Sequence, residues 1–134
     1  MGNFVNRGNG SYTSARKSQI YIDKTEILNY TNSVMDTEQC HICVSRPRRF
    51  GKTMTAGMLT AYYSRGCDSE ALFKDLAIAD SPSFKDNLNQ YDVIHLDIAY
   101  LLVQIKILPK PYPASRNMSL MNASAKCKTK RSEK

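Results

Sequence analysis

Ser45-Arg46-Pro47-Arg48-Arg49-Phe50-Gly51-Lys52-Thr53 is the stretch of sequence on which the interpretation of the whole chain depends. It fits the pattern G-x-x-x-x-G-K-[ST] at every defined position except the first, where Arg46 stands in place of glycine. This pattern is typical of a loop whose backbone amides surround phosphate groups. A bare Gly-Lys-Thr occurs often by chance, so the neighbouring sequence has to support the interpretation.

The residues on either side of this loop, named here the loop 46–53, have the arrangement that phosphate binding requires. Residues 41–45 form a short β-branched and apolar run, which is typical of a central parallel strand. Residues 52–65 place Met54, Met58 and Tyr62 at helical spacing. The sequence therefore predicts a strand, a loop and a helix in direct succession, with the positive end of the helix at the anion.

Each residue type in the loop 46–53 has a chemical reason. Gly51 lets the backbone approach an anion, Lys52 carries an ammonium for the β- and γ-phosphates, and Thr53 offers a hydroxyl to Mg²⁺. Arg46 and Pro47 alter the first half of the cradle, because arginine avoids glycine-only angles and proline lacks an amide proton. The guanidinium groups suit phosphate geometry and can compensate. The predicted nucleotide-binding residues are Arg46, Arg48, Arg49, Phe50, Gly51, Lys52 and Thr53. The alternative interpretation is a solvated arginine loop before an ordinary helix start.

A second candidate site residue, Asp97, follows the strand-like run 93–96. The magnesium-holding aspartate of P-loop proteins follows a strand in the same way, so the sequence predicts Mg²⁺ held by Thr53 and Asp97. An ordinary aspartate at a strand end would give the same pattern. Many ATPases place a glutamate directly after this aspartate to activate water, whereas Ile98 follows here. Nucleotide binding is therefore better supported than hydrolysis, and no catalytic residue is assigned.

The net charge of +7 would ordinarily favour a polyanionic partner. Residues 1–103 nevertheless hold 11 Lys+Arg and 11 Asp+Glu, so the whole excess lies in residues 104–134. That tail is rich in lysine and serine, with almost no aromatic side chain to stack on bases. Non-enzymatic binding of nucleic acid or another anion, through the arginine-rich loop and the basic tail, is the alternative function.

The expected fold is α/β, with the parallel sheet core of a partial P-loop NTPase domain over residues 1–103 and a basic low-order tail over 104–134. Such domains commonly reach ~200 residues, because their sheet needs crossover helices on both faces, so we expect this chain to be incomplete. The predicted strands cover residues 20–22, 41–45 and 91–98. The predicted helices cover residues 26–35, 52–65, 71–76 and 83–89. Residues 1–18 are expected to be irregular and residues 109–134 to be disordered.

Four cysteines without a signal peptide favour a reducing, cytoplasmic location. The longest apolar run, residues 98–108, is interrupted by Gln104 and Lys106 and falls short of the ~20 residues that cross a bilayer. No membrane role is expected. Tyr62 and Tyr63 lie on the helix after the loop, where core packing is expected rather than stacking on adenine.

Three stretches closely resemble the AAA-ATPase-like family of bacterial proteins: Tyr21-Ile22-Asp23-Lys24-Thr25, the loop 46–53, and Leu59-Thr60-Ala61-Tyr62-Tyr63. The resemblance covers roughly residues 1–100 and implies an ATPase domain that binds ATP and Mg²⁺ and usually lacks the first glycine. It also implies a nuclease-like PD-(D/E)XK domain in full-length members. Residues 104–134 resemble neither part, which suggests a frameshift or a truncated gene model near Ala99. Turnover of ATP is not expected from this chain.

Overall fold

Six α-helices and one 3₁₀ helix form the regular structure of residues 4–104, the part of the chain that the computed structural model describes. The helices in chain order are α1 (Gly10–Arg16), α2 (Glu26–Val34), α3 (Lys52–Tyr63), α4 (Glu70–Phe73), the 3₁₀ helix Ala77–Asp80, α5 (Phe84–Asn87) and α6 (Ile98–Gln104). None of the helices in this described part is long and apolar enough to cross a membrane.

The two longest helices lie where the sequence predicted helices. In α2 the buried side chains are Leu28, Thr31 and Val34, which follow one another at three-residue intervals on a single face. In α3 the buried side chains belong to the second half of the helix, from Met58 to Tyr63. The first half of α3 is therefore left beside the loop that precedes it, and the second half is anchored in the core.

The core lies where α1, α2 and α3 meet the short helices that follow them. Tyr12 of α1 stacks on Phe73 of α4 with ring centroids 5.1 Å apart, and Tyr62 of α3 meets the same ring edge-on at 5.4 Å. Tyr62 also donates a hydrogen bond to the carbonyl of Phe84 at 3.0 Å. The buried hydrophobic residues of this core are Tyr12, Leu28, Met58, Ala61, Tyr62, Tyr63, Phe73, Leu76, Ile78 and Phe84. One apolar cluster thus joins α1 to α5.

The predicted α/β fold with a parallel sheet is wrong for residues 4–104. No β-strand forms in this range, and two isolated bridges stand in its place, one antiparallel between Val5 and Ile94 and one parallel between Ser64 and Tyr91. A sheet needs ladders of hydrogen bonds along several consecutive residues of neighbouring strands. Packing of helices, rather than of a sheet, forms this core.

The hydrogen bonds of the two main predicted strands explain why neither forms. Residues 41–45 make no backbone hydrogen bond to another segment of the described chain, so their strand-like composition has no partner to pair with. The amides of Asn89 and Tyr91 donate to the carbonyls of Tyr62 and Tyr63, at 2.7 and 2.9 Å. Farther along, residues 93–95 bond to residues 4–6. The segment 89–95 thus pairs with the end of α3 and with the N-terminal residues, and not with a second strand. Residues 20–22 are also outside any regular element.

Two α-helices and the 3₁₀ helix Ala77–Asp80 lie where the sequence did not predict a helix. Helix α1 forms within the stretch 1–18 that was expected to be irregular, because Tyr12 supplies a core side chain with 1% exposure. Helix α6 crosses the expected domain boundary between residues 103 and 104. Residues 109–134, which were expected to be disordered, lie outside the described residues. The division of the chain into a domain and a tail stays a prediction.

Candidate functional site

The loop 46–53 contains, directly before α3, a residue whose backbone conformation only glycine adopts easily. Gly51 has φ +79° and stands directly before α3 as its N-terminal cap. An L-residue in this left-handed region costs roughly 1–2 kcal/mol, a penalty that glycine avoids. A second constraint acts on the same position, because a Cβ placed on Gly51 would lie 3.3 Å from the ammonium of Lys24. The left-handed conformation therefore favours glycine at this position, and a Cβ would also require a small shift of the Lys24 ammonium.

The first turn of α3 leaves backbone donors available. The first amides of an α-helix have no partner within the helix, and no side chain caps those of α3. The first hydrogen bond of the helix runs from the amide of Thr55 to the carbonyl of Gly51 at 2.8 Å. No acidic residue lies in the first turn, although carboxylates are favoured there. The start of α3 thus offers N–H groups and a positive dipole end to an anion.

Lys52 turns its side chain back across the loop that precedes it. Its ammonium donates hydrogen bonds to the carbonyls of Arg46 and Pro47, the second at 3.1 Å. The side chain is half-buried, unlike the loop residues before it, which are all exposed up to Phe50. An ammonium has three N–H donors and no acceptor. The hydrogen bonds to the two carbonyls hold the charge inside the loop, and the ammonium can exchange these carbonyls for other acceptors.

A second left-handed residue, Arg49, lies two positions before Gly51, with φ +68°. An arginine in this conformation is destabilised by about 1 kcal/mol or more of steric strain, which a glycine would avoid. Residues in such conformations concentrate at ligand sites, where the surrounding structure imposes them. The strained backbone therefore supports a functional interpretation of the loop over that of an ordinary surface turn.

The cations of the loop have no carboxylate partners among residues 4–104. The ion pairs found there join Arg16 to Asp75 at 2.6 Å and Arg65 to Asp92 at 3.2 Å, away from the loop. Three exposed guanidinium groups and one ammonium thus lie close together in sequence without neutralisation. Uncompensated charge of one sign favours a polyanionic ligand at this surface. The cationic loop residues are Arg46, Arg48, Arg49 and Lys52.

The sequence patterns gave no reason to place Lys24 at the loop, but the structure does. Its ammonium donates to the carbonyl of Phe50 at 3.4 Å. The residues on either side are fixed, because Asp23 accepts the amide of Ala77 at 2.9 Å and Thr25 accepts the amide of Ile78 at 3.3 Å. Lys24 belongs to one of the stretches that carry the family resemblance, which was the available signal, although spacing alone did not link it to the loop.

The two predicted metal residues, Thr53 and Asp97, are both exposed. Thr53 is exposed at the start of α3. Asp97 is exposed as well, and it precedes α6 and accepts the amide of Tyr100 at 3.0 Å with Oδ1. Within residues 4–104 no cluster of three or more His, Cys, Asp or Glu side chains could hold a metal. A magnesium site here would therefore depend on phosphate and water oxygens for most of its ligands, which is usual for this ion.

The aromatic side chains of α3 belong to the core, as predicted. Tyr62 is 0% and Tyr63 7% exposed, so neither face is open to a base. Burial raises the pKa of both phenols, and both hydroxyls have partners, with Tyr63 donating to Asn32 at 2.7 Å. Stacking of adenine on these two rings is therefore excluded in this conformation.

His95 connects the segment before Asp97 to the middle of α3. Its Nδ1 lies 3.0 Å from the hydroxyl of Thr60, seven residues after Thr53. Seven helical residues correspond to about 10 Å along the axis, so this contact lies two turns beyond the start of α3. Burial, aided by the charge of Arg7, lowers the pKa of His95. The histidine holds the segment against α3 in its neutral form.

Comparison with known proteins gives one family. The family model described as predicted AAA-ATPase matches residues 8–108, which includes the loop 46–53, Lys24 and Asp97. No curated protein and no solved structure matches the chain.

Proposed function

The chain belongs to the AAA-ATPase-like family of predicted AAA-ATPases, and we propose that it binds ATP with Mg²⁺ through the loop 46–53. Membership of the family indicates nucleotide binding in general. The nucleotide, the metal and the residues that hold them are the proposal. One observation carries it: Gly51 adopts a left-handed conformation directly before a helix whose first turn has no side-chain cap.

In this proposal the phosphates lie against the start of α3. The free amides of its first turn donate to phosphate oxygens, and the helix dipole adds to their attraction. Lys52 exchanges its bonds to the carbonyls of Arg46 and Pro47 for bonds to the β- and γ-phosphates. The exchange costs little, since the ammonium stays in a polar environment and gains charge-assisted partners.

The arginines act as the outer part of the cradle. Arg46, Arg48 and Arg49 are exposed and without carboxylate partners in the described part of the chain, so their guanidinium groups are available to the anion. The amide of Phe50 is an additional donor in the same backbone. These groups replace the contribution of the first glycine, which this loop lacks.

Magnesium would be held by the hydroxyl of Thr53 and, through water, by Asp97. Asp97 is exposed and accepts the amide of Tyr100 with Oδ1. Mg²⁺ keeps several waters and takes most of its other ligands from phosphates, so one or two protein ligands are enough for it. A magnesium ion held by these residues would supply positive charge that offsets the repulsion between phosphate groups.

The proposal concerns binding and not turnover. Ile98 follows Asp97, where many ATPases have a water-activating glutamate, and no catalytic residue is assigned. We assign the binding function to residues 1–103. Binding of nucleic acid through the arginine-rich loop and the basic tail is the alternative that the following experiment distinguishes.

Thermal unfolding of the 134-residue chain with and without Mg-ATP tests the proposal. A ligand at 100 times its Kd stabilises the folded state by ~2.7 kcal/mol, so we expect the melting midpoint to rise with Mg-ATP concentration. Lys52→Ala should remove most of this rise, whereas Lys85→Ala, at an exposed position on α5, should preserve it. ATP with EDTA should give a smaller rise than Mg-ATP.

A folded wild-type chain whose midpoint ignores Mg-ATP at every concentration would overturn the proposal. Filter binding with single-stranded DNA separates the alternative. Retention that falls steeply with salt and disappears when residues 104–134 are deleted, with no effect of Mg-ATP, would favour nucleic-acid binding instead.

A further inference from the structure

We propose that Lys24 is a second phosphate-binding residue of this site, whose ammonium joins that of Lys52 on the polyphosphate of the bound nucleotide. The inference rests on the proposed function and adds a residue that the loop pattern does not contain. It assigns a direct role in binding to a residue in the stretch before α2, more than twenty residues ahead of the loop 46–53 in the sequence.

The position of the ammonium is the first observation. Nζ of Lys24 donates to the carbonyl of Phe50 at 3.4 Å and lies 3.3 Å from the place that a Cβ on Gly51 would occupy. It therefore lies against the backbone at the residue that precedes the free amides of α3. The carbonyl uses one of its three donors, and the other two can bind a phosphate oxygen.

The rigid attachment of the segment is the second observation. Asp23 accepts the amide of Thr25 at 2.8 Å and that of Ala77 at 2.9 Å. Thr25 is fully buried and accepts the amide of Ile78. Both neighbours of Lys24 are thus tied to the core while its own side chain extends to the loop. A fixed backbone lowers the entropic cost of holding a long side chain at a ligand.

The charge around the site is the third observation. Lys24 donates to the carbonyl of Phe50 and Lys52 to that of Pro47, so the two contacts lie on either side of Arg48 and Arg49. Residues 44–66 contain no aspartate or glutamate, and neither lysine has an ion pair among the described residues. Like charges gathered without counterions repel each other, and a polyphosphate removes this repulsion on binding. If the only role of Lys24 were to donate to the carbonyl of Phe50, one neutral hydrogen-bond donor would be sufficient.

Titration calorimetry of the full chain with Mg-ATP tests the role of Lys24. Lys24→Gln keeps an N–H donor, on a side chain one bond shorter, and removes the charge. Loss of a charge-assisted hydrogen bond is expected to raise the Kd by about tenfold or more. Lys24→Arg should keep most of the affinity, and the control Lys85→Gln on α5 should leave the Kd unchanged.

The dependence on phosphate number provides a readout that a structural role would not change. Because the ammonium is proposed to contact the polyphosphate, Lys24→Gln should weaken Mg-ATP more than AMP. Melting of the ligand-free variants checks the fold. A lower midpoint for Lys24→Gln together with an unchanged Kd for Mg-ATP would show a structural clamp and overturn the inference.

The outcomes of these experiments distinguish a failure of this inference from a failure of the proposed function. Wild-type protein that does not bind Mg-ATP, or a Lys52→Ala variant that binds it equally well, would remove the proposed function and this inference with it. Binding that needs Lys52 but is indifferent to Lys24→Gln would remove this inference alone. If Lys24→Gln does not fold, Lys24→Met replaces it in the titration. Acetylation of Lys24 in the wild-type chain is then also measured with and without Mg-ATP, and a rate that Mg-ATP does not lower would count against the proposal.

Discussion

The carboxylate of Asp23 accepts a hydrogen bond from the amide of Ala77 at 2.9 Å, a contact between residues 54 positions apart. Its other oxygen accepts the amide of Thr25 at 2.8 Å, so a single side chain bridges the start of α2 and the 3₁₀ helix. Through this bridge the segment that carries Lys24 is held in a fixed position relative to the core. The positioning of the candidate site thus depends on a residue that does not itself face the ligand.

This bridge should make stability sensitive to acid. Burial by itself would raise the pKa of Asp23, but the amides of Ala77 and Thr25 donate to the carboxylate and hold the pKa below its ordinary value. A lowered folded-state pKa gives stability that is complete above the unfolded pKa of about 3.9 and is lost as the pH falls through the folded value. Urea unfolding of wild type and Asp23→Asn should therefore show a constant difference from neutral pH to about pH 5, which shrinks below about pH 4.

A difference between these two proteins that stays the same down to the acid limit would contradict the role of the carboxylate charge. The neutral amide keeps only one of the two acceptor oxygens, so Asp23→Asn removes the charge together with one of the two hydrogen bonds.

Substitution of Gly51 should destabilise the fold. In Gly51→Ala the left-handed φ of +79° and the 3.3 Å approach of the Lys24 ammonium both act against the new Cβ, and we expect a loss of about 1–2 kcal/mol. Gly8→Ala is the matched control, since nothing lies within 4 Å of its Cβ position and its φ is not positive. Equal unfolding midpoints in urea for these two variants would contradict the constraint on Gly51.

Substitution of Arg49 should separate stability from binding. Arg49→Gly relieves a left-handed arginine with φ +68°, and we expect the free energy of unfolding to rise by about 0.5–1 kcal/mol. The same change removes a guanidinium from the loop, so the Kd for Mg-ATP should rise. Arg48→Gly, whose φ is not positive, should weaken binding without the gain in stability. A stabilised Arg49→Gly protein with unchanged affinity would exclude its side chain from the anion site.

The helical core makes Phe73 the decisive apolar residue. Its ring is fully buried between Tyr12 and Tyr62, and deletion of such a ring in Phe73→Ala should cost roughly 3–5 kcal/mol or prevent folding. Ile20→Ala removes a side chain that is 83% exposed and should change stability by less than about 0.5 kcal/mol. Circular dichroism during thermal unfolding measures both. Comparable midpoints for the two variants would contradict this core.

The sequence predicted those parts of the site that depend on neighbouring residues. The start of α3 at Lys52 follows from Gly51 and from the apolar spacing after it, and α2 lies within the predicted helix 26–35. An α-helix satisfies its backbone hydrogen bonds within a few residues, so local patterns specify it well. The cationic character of the loop 46–53 was equally visible in the sequence.

Tertiary structure decided what depends on distant partners. Residues 41–45 have the composition of a strand but no segment to pair with, and residues 89–95 bond to the end of α3 and to residues 4–6 instead. A strand exists only if another stretch of chain supplies its hydrogen bonds, and composition does not say which stretch arrives. The same reason explains Lys24, which reaches the carbonyl of Phe50 because Asp23 and Thr25 are tied to residues more than fifty positions away.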